Sequence, residues 1–198
     1  MAPNILVLDL ETKSIFSDHA DRRCDALGVS VVGTYCYQRD QYRVYEEAEI
    51  PELEQRLTER PLVVGFNIKR FDFLVLKPYL HFDPLTLPML DILEILHKAL
   101  GHRVSLESVA QATLGSGKSG SGLDAVDYYR RGEIAKLKQY CQDDVRVTKT
   151  IYEYGAEHGE LFYTSKFGNT RGRCPVSWQL THPETTTASE TATQCSLF

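Results

Sequence analysis

Carboxylates stand at places in this chain where an apolar pattern disfavours a charge. Asp9 interrupts the apolar run at residues 5–8, and Glu11 follows two positions later. Asp72 lies in a second apolar stretch, and Asp144 lies within a long helical pattern. A buried, unpaired carboxylate costs several kcal/mol or gives up its charge. These acids therefore imply a compensating cation, most simply a metal ion.

The spacing of the acids predicts that they converge. Side chains alternate along a strand, so Asp9 and Glu11 share a face. Tyr140 and Asp144 are four residues apart and share a face of a helix. If the helix crosses the ends of neighbouring strands, four carboxylates meet and raise each other's pKa unless cations neutralise them. We therefore expect two divalent ions, Mg²⁺ or Mn²⁺, which clamp the attacking and leaving oxygens of phosphoryl transfer, while Tyr140 orients the attacking water.

Apolar periodicity outlines the elements that must position these residues. It predicts strands within residues 4–12, 29–37, 41–45 and 62–66, a brief strand that leads to Asp91, and helices at 52–59, 69–80, 92–100, 105–115 and 132–154. Gly155 is expected to end the last helix. In this outline the first strands precede the helices, and one more strand and helix follow later in the chain. This order indicates an α/β domain whose mixed central sheet is flanked by helices.

The charge of the chain is unevenly distributed. A formal net charge of -5 has the wrong sign for a protein that holds nucleic acid by bulk electrostatics. Residues 161–183 contain no acid, however, and include Lys166, Arg171 and Arg173. We expect a final strand or arm near the substrate in this stretch.

Composition predicts a protein without membrane segments. No apolar run approaches the length of a membrane span, and the first ten residues lack the features of a signal peptide. The five cysteines are scattered, with no CxxC pair, as is typical of reduced thiols. We therefore expect a cytoplasmic protein.

Three short motifs together resemble a known enzyme family. Asp9-x-Glu11, Asn67-x-x-x-Phe71-Asp72 and Tyr140-x-x-x-Asp144 resemble the motifs of the DEDD 3′–5′ exonucleases, which have a ribonuclease H-like fold. Tyr140 indicates the DEDDy subgroup, because Gln139 stands where the DEDDh subgroup needs histidine. Residues 140–145, together with Asp91 and residues 105–110, resemble the exonuclease domains related to family B DNA polymerases. The resemblance covers about residues 3–155.

The resemblance implies roles for individual residues. Asp9, Glu11, Asp72 and Asp144 would hold two metal ions, with Asp9 bridging them. Tyr140 would position the water. The predicted substrate-binding residues are Thr12 and Asn67 near the terminal nucleotide, Phe71, and Lys118 as a backbone contact.

Each motif also has an ordinary interpretation. Asp9 and Glu11 alone could cap a neighbouring helix, and Asp72 could be a solvated helix acid. Asp143 lies about 100° around the helix from Asp144 and is expected to be solvated. Asp91 could be a fifth acid beside the metals, but we favour a pair with a basic side chain. The glycine-rich segment at 115–119 lacks the first glycine and the preceding strand of a phosphate-binding loop.

The last eighteen residues differ in character from the rest. Residues 181–193 lack apolar periodicity and are predicted to be a disordered tether. The final residues resemble the bacterial sliding-clamp-binding motif; they are Gln194, Cys195, Ser196, Leu197 and Phe198. Burial of the Leu-Phe pair in a partner pocket contributes roughly 3 to 6 kcal/mol before ordering costs, which suggests micromolar binding. The alternatives are an accidental apolar end or a strand that folds back onto the domain.

These observations combine into one hypothesis. We expect a ribonuclease H-like 3′–5′ exonuclease domain at 1–180, a tether at 181–193 and a clamp-binding peptide at 194–198. The predicted activity is metal-dependent removal of nucleotides from 3′ ends of DNA, single-stranded or frayed, at the replication clamp. The alternatives are an exoribonuclease of the same fold and a clamp-binding adaptor without catalytic activity.

Overall fold

The computed structural model describes residues 2–21, 23–115, 122–165 and 170–178. The strands within these ranges are β1 (Ile5–Thr12), β2 (Val29–Cys36), β3 (Gln41–Glu46), β4 (Leu62–Gly65), β5 (Met89–Asp91), β6 (Glu160–Thr164) and β7 (Arg171–Pro175). The α-helices are α1 (Ile50–Thr58), α2 (Asp72–Leu76), α3 (Ile92–Leu100), α4 (Leu106–Leu114), α5 (Gly122–Arg130) and α6 (Ile134–His158).

The central sheet is mixed, as expected. It has five strands in the order β3-β2-β1-β4-β5. β1 is antiparallel to β2 and parallel to β4, β2 is antiparallel to β3, and β4 is parallel to β5. The predicted α/β fold class, a mixed central sheet flanked by helices, is confirmed.

The alternation of side chains along β1 determines where its acids lie. Leu6 and Leu8 belong to a core cluster that includes residues of α1 and α2. Ile5 and Val7 belong to a second cluster that includes residues of α3, α4 and α6. Because Asp9 continues this odd-numbered row, it lies on the side of the sheet that α6 covers.

A close approach between β2 and α6 brings the long helix onto the sheet. A Cβ added at Gly33 would lie 2.8 Å from both Cys141 Sγ and Val145 Cγ2 and 3.3 Å from the Cys141 carbonyl oxygen. Gly33 is the register partner of Asp9. The absence of a side chain at Gly33 therefore lets α6 cross the sheet beside the strand that carries the first acid.

Two helices differ in length from the expectation. α2 ends at Leu76 rather than Leu80, and a 3₁₀ turn with Pro78 follows it, because proline lacks the N–H that an α-helix requires. α6 continues past Gly155 to His158, and Gly159 ends it with a φ of 68°. Gly155 is helical because its bare face accommodates the indole of Trp178, which a Cβ would approach to 2.2 Å.

Two elements extend the sequence-based outline. The sequence reading did not include α5. β6 and β7 form an antiparallel hairpin in the stretch where a final strand or arm was expected. The hydroxyls of Ser108 and Thr113 each exchange hydrogen bonds with backbone groups of β6, those of Thr164 and Phe162, at 2.9–3.0 Å. α4 thereby covers the open edge of β6 and joins the hairpin to the domain.

Two further features concern the helices and the cysteines of the described ranges. None of the helices in the described ranges has the length and apolar character that a bilayer span needs. The described cysteines are free thiols: Cys24, Cys36, Cys141 and Cys174. Residues 181–198, which include the predicted tether and clamp-binding peptide, lie outside the described residues.

Candidate active site

Three of the predicted acids form one compact group. Carboxylate oxygens of Asp9, Glu11 and Asp144 all lie within 4.8 Å of one another. Glu11 and Asp144 are 8% and 2% exposed, whereas Asp9 is half-buried. β1 provides the first two acids from alternate positions, and α6 provides the third where it crosses the sheet. Three carboxylates at this separation repel each other strongly when they are ionised.

The thiol of Cys141 connects the helix to the strand beneath this group. Cys141 Sγ donates to the carbonyl oxygen of Asp9 over 3.6 Å, which ties α6 to β1 one turn before Asp144. Burial is the largest cause that raises the pKa of Cys141 well above its usual value, and the charges of Asp9, Glu11 and Asp144 raise it further. Cys141 is therefore a protonated packing residue and not a nucleophile.

Asp72 approaches the same region from the other side of β1. It is the first residue of α2, it is 3% exposed, and its Oδ1 accepts from the backbone N–H of Leu10 over 3.1 Å. This bond places a buried carboxylate beside the backbone that joins Asp9 to Glu11. Asp72 lines the same pocket as the three grouped acids, although it is outside the group within 4.8 Å.

The pocket has a volume of about 470 Å³ and combines the four carboxylates with an apolar wall. Its apolar lining includes Ile15, Phe16, Phe66, Phe71, Leu123 and Val126. Phe16 and Leu123 are 38% and 61% exposed. The rings of Phe16 and Phe71 meet edge to face, with centroids 6.1 Å apart. The pocket therefore provides apolar surface next to a concentrated negative charge.

Thr12 and Phe71, both predicted to contact substrate, line this pocket. Thr12 is 7% exposed, and its Oγ1 donates to the carbonyl oxygen of Ser14 over 2.8 Å. Tyr140 lies one turn before Asp144 and is 5% exposed, packed with Val31, Ala125 and Leu137. Among the described residues, Tyr140 belongs to this small cluster and not to the lining of the pocket.

Asn67 occupies the loop between β4 and α2, with a φ of 73° that is unusual for a residue other than glycine. Its Oδ1 accepts from Arg103 Nη2 over 2.7 Å. It lies outside the lining of the acidic pocket, but it directly follows Phe66, which is part of that lining. The structure therefore places Asn67 beside the pocket and engaged with an arginine.

The preferred interpretation of Asp91 was wrong. Instead of a basic side chain, its partners among the described residues are the backbone N–H groups of Asn67, Lys69 and Glu94, at 2.8, 3.1 and 3.2 Å. Asp91 caps α3 with one oxygen and holds the β4–α2 loop with both. A buried carboxylate satisfied by amides of two segments fixes the loop that leads to Phe71 and Asp72. Asp91 is therefore an indirect support of the site.

Asp143, next to Asp144, lies on a different side of α6, as expected. It pairs with Arg146 and accepts from Gln139 Nε2 over 3.1 Å. Asp143 is outside the group of three acids. It therefore provides a matched control for substitutions of Asp144 and Asp9.

The donor set of the acidic group fits a hard divalent cation. Mg²⁺ and Mn²⁺ prefer carboxylate oxygens, and the three grouped acids present these within a few ångströms. Glu11 and Asp144 are both buried, and a divalent cation between them would offset the repulsion of their charges. Lys118, a predicted backbone contact, lies outside the described residues, as do Gln194–Phe198.

The sequence reading missed the helix that provides part of the apolar wall. Leu123 and Val126 come from α5, and Phe16 comes from a 3₁₀ turn after β1. The signals for α5 were present: Leu123 and Val126 have helical spacing, Asp124 lies in the first turn, and Arg130 lies in the last.

A family profile described as the RNase_H superfamily matches residues 6–155 of the chain. The chain belongs to the RNase H superfamily. The match includes all four pocket acids and every strand of the central sheet, and it ends before the β6–β7 hairpin. A search of curated protein sequences finds no match for the chain.

Solved structures provide a likeness of fold for this RNase H superfamily domain. The family B DNA polymerase from the hyperthermophilic archaeon Pyrobaculum calidifontis matches with a TM-score of 0.57 and 16% identity, over 76% of this chain and 24% of the polymerase. An ExoI/SSB-Ct complex matches with a TM-score of 0.42 and 15% identity, over 92% of this chain and 53% of that one. The chain thus spans about a quarter and about half of these two proteins.

Proposed function

We propose that this RNase H superfamily domain is a metal-dependent 3′–5′ exonuclease of the DEDDy type that acts on DNA. The observation that carries the proposal is the group of Asp9, Glu11 and Asp144 in a pocket that Asp72 also lines. Acids so close together are costly without cations, and the chain keeps them beside an apolar wall that can accommodate a nucleotide base.

The four acids would hold two divalent ions, Mg²⁺ or Mn²⁺. Such ions lower the pKa of a bound water and neutralise charge on a phosphodiester. Asp9, whose bridging role is implied by the resemblance to the DEDD exonucleases, would contact both ions. Asp72 would contribute from α2, where the Leu10 N–H holds its other oxygen. α6 would set the distance of Asp144 from β1 through the contacts at Gly33 and Cys141.

The apolar wall would hold the terminal nucleotides. Phe16 and Phe71 offer an edge-to-face aromatic pair, and Leu123 is an exposed apolar side chain that lines the same pocket. Stacking of a base on an aromatic side chain contributes about 1–3 kcal/mol without regard to sequence. Thr12 would contact the terminal nucleotide, and Tyr140 would orient the attacking water by its hydroxyl. This division of roles favours a substrate with unpaired bases at its end.

The polarity of digestion tests this assignment. A single-stranded DNA labelled at its 5′ end should give a ladder that shortens with time, whereas the same strand labelled at its 3′ end should release labelled mononucleotide at once. The opposite pattern would contradict the 3′–5′ assignment. Internal cuts from the start would indicate an endonuclease. A matched RNA strand cut faster than the DNA would make the domain an exoribonuclease.

We propose in addition that residues 194–198 tether the domain to a bacterial sliding clamp. The support is in the sequence: a polar segment without apolar periodicity ends in Leu197 and Phe198 after Gln194. The acidic protein should bind DNA weakly, and a tether of about 13 residues, about 20 Å in root-mean-square length, raises the effective concentration at the clamp.

Deletion of residues 194–198 tests the tether separately from catalysis. The truncated protein should degrade free single strands at the rate of the full chain and lose any stimulation by the clamp. Replacement of Leu197 and Phe198 by alanine should have the same effect. Stimulation by the clamp that survives both changes would refute the tether and leave the exonuclease proposal intact. Equal inactivity of full-length and truncated protein on all substrates would favour the adaptor alternative.

A further inference from the structure

Three arginines differ from the other cations of the described residues. Most lysines and arginines in these ranges stand in ion pairs with aspartate or glutamate, such as Lys13 with Glu47 at 2.6 Å. Within the part of the chain that the structure describes, Arg70, Arg103 and Arg171 have no carboxylate within ion-pair distance. All three are exposed. Their charges are therefore available in a protein of net charge -5.

The three arginines follow one another across the surface, and we name them the arginine path. Arg70 and Arg103 line the same shallow depression beside Asn67. Arg103 also lines the next pocket, of about 320 Å³, together with Thr164 and Ser165. Thr164 is the register partner of Arg171 across the β6–β7 hairpin. The path thus runs from the β4–α2 loop over the start of α4 to the hairpin.

The path begins at the acidic pocket. Arg103 Nη2 donates to Asn67 Oδ1 over 2.7 Å, and Asn67 lies in the loop whose two phenylalanines, Phe66 and Phe71, line that pocket. Asp91 holds this loop by its backbone amides. A strand whose end lies in the pocket can therefore pass Arg103 and Arg70 as it leaves the pocket.

Neutral partners hold two of the guanidinium groups in place without cancelling their charge. Arg171 lies over the ring of Phe162, 3.7 Å from its centroid, and its Nε donates to the carbonyl oxygen of Ala112 over 2.9 Å. Arg103 is held by the amide of Asn67. A guanidinium that a neutral group already orients loses less side-chain entropy on binding a phosphate than a freely rotating one does. Arginine can contact a phosphate through two parallel hydrogen bonds.

Neighbouring groups leave this surface positive. Glu94 lines the depression that holds Arg70 and Arg103, and it is shared between Lys69 at 3.3 Å and Lys98 at 3.2 Å. Glu107 also lines the pocket beside Arg103. The arginine path and these two lysines provide five positive charges beside the half-buried Glu94 and the exposed Glu107, whereas the chain as a whole is acidic.

We propose that the arginine path binds the phosphates of a single-stranded nucleic acid on the 5′ side of the end that lies in the acidic pocket. This inference rests on the proposed function for its direction along the strand. The contacts are to phosphate and carry no base specificity. They make binding dependent on strand length and on salt, and they compensate locally for the unfavourable overall charge.

Binding without cleavage tests the path independently of catalysis. The probe is a fluorescein-labelled oligothymidylate of twenty residues, measured by anisotropy in EDTA with the full-length protein. Each phosphate contact on a single strand contributes a slope of about −0.7 to the log–log dependence of affinity on salt, so the triple variant R70Q/R103Q/R171Q should flatten the slope by about 2. Between 50 and 200 mM salt, the wild type should then lose roughly 20-fold more affinity than the variant.

Two control variants separate the path from general charge and from folding. Arg39→Gln removes an exposed arginine that pairs with Glu59 at 3.7 Å. Arg39 lies in the turn between β2 and β3, which are at the edge of the sheet opposite β5. The Arg39→Gln variant should leave the slope at the wild-type value. The triple variant with lysine in place of each arginine keeps the charges and should keep most of the slope. An unchanged slope in R70Q/R103Q/R171Q, with its fold intact by circular dichroism, would refute the path.

Two substrates distinguish failure of the path from failure of the proposed function. The p-nitrophenyl ester of thymidine 5′-monophosphate has one phosphodiester, which would lie in the acidic pocket, and it has no further phosphate to contact the arginine path. The oligothymidylate has additional phosphates that would contact the path. The triple glutamine variant should raise KM for the oligonucleotide about tenfold or more and leave hydrolysis of the ester unchanged. Equal loss on both substrates would assign the arginines to the support of the pocket. A wild type that cleaves neither substrate would refute the exonuclease, and the anisotropy result would then decide the path alone.

Discussion

Replacement of Gly33 by alanine is a direct way to move the two halves of the candidate site apart. Asp9 lies opposite Gly33 on β1, and Asp144 lies on the helix that packs over Gly33. The new methyl group would lie 2.8 Å from both Cys141 Sγ and Val145 Cγ2, against an ordinary contact of 3.4 Å or more. Val145 cannot rotate away easily, because a β-branched residue in a helix has one strongly preferred rotamer. α6 must therefore shift from the sheet by roughly 0.6 Å.

The expected magnitude differs between stability and activity. Overpacking of this kind costs about 1–3 kcal/mol of folding free energy, which a folded domain tolerates. A misplacement of about 1 Å in a catalytic constellation can cost about 100-fold in rate, so a shift of roughly half that size should lower kcat about tenfold. The assay is Mn²⁺-dependent degradation of 5′-labelled single-stranded DNA at 25 °C, with unfolding by urea measured in parallel.

Leu53→Ala is the matched control. Leu53 is fully buried on α1, in the core cluster on the other side of the sheet from α6. Its truncation should cost about 2–5 kcal/mol, as much as the alanine at Gly33 or more, without displacing Asp144. The control should keep near wild-type kcat while it is folded. Wild-type kcat in Gly33→Ala, or an equal loss of kcat in both variants, would refute the idea that the α6 crossing sets the geometry of the acids.

Three further predictions concern the support of the fold. Asp91→Ala should lower stability by about 3 kcal/mol, because it leaves three partly buried N–H groups without their acceptor, whereas Asp91→Asn should lose less. Urea unfolding of both variants measures the difference, and equal losses would contradict the amide-acceptor role. Gly155→Ala should displace Trp178, because the added methyl group would clash with the indole. Trp178 is the one tryptophan of the chain, so its greater exposure should shift the fluorescence emission to the red. An unshifted spectrum would contradict the contact. Glu54 raises the pKa of His81, so this pair should stabilise the fold below the unfolded histidine pKa and lose that effect as pH rises through the raised value. Glu54→Gln should then lower the urea midpoint at pH 5.5 more than at pH 8.5, and equal changes at both pH values would argue against the pair.

Local patterns, together with the resemblance of three motifs, predicted the three acids that meet, although the fourth, Asp72, lies outside their group. The period of a strand places Asp9 and Glu11 on one face, and a break in apolar character marks them as costly. Asp144 was identified because it lies four residues after Tyr140 in a helical pattern, where a buried carboxylate is costly unless a cation compensates its charge. The register between β1 and α6 could not be read in the same way, because it depends on the bare face of Gly33, which a sequence shows only as a small residue in a strand.

Contacts between distant segments were the part that the sequence did not reveal. The partners of Asp91 are backbone amides, two of them 22 and 24 residues away. Every residue except proline has a backbone N–H group, so the residue types in the sequence do not show which of these groups Asp91 contacts. Gly155 was expected to end α6 because glycine commonly follows a helix, but the indole of Trp178 requires its bare face. The apolar wall of the pocket was missed together with α5, because a glycine-rich stretch before it suggested a loop.

The measurement that tests the central claim most directly is the degradation of 5′-labelled single-stranded DNA in Mn²⁺ by the wild type, Asp9→Ala and Asp143→Ala. Asp9 belongs to the acidic group, whereas Asp143 pairs with Arg146 outside it. The account predicts a ladder that shortens from the 3′ end with the wild type and with Asp143→Ala, and no degradation with Asp9→Ala or with EDTA. Degradation by Asp9→Ala at the wild-type rate, or none by the wild type on DNA and RNA alike, would contradict it.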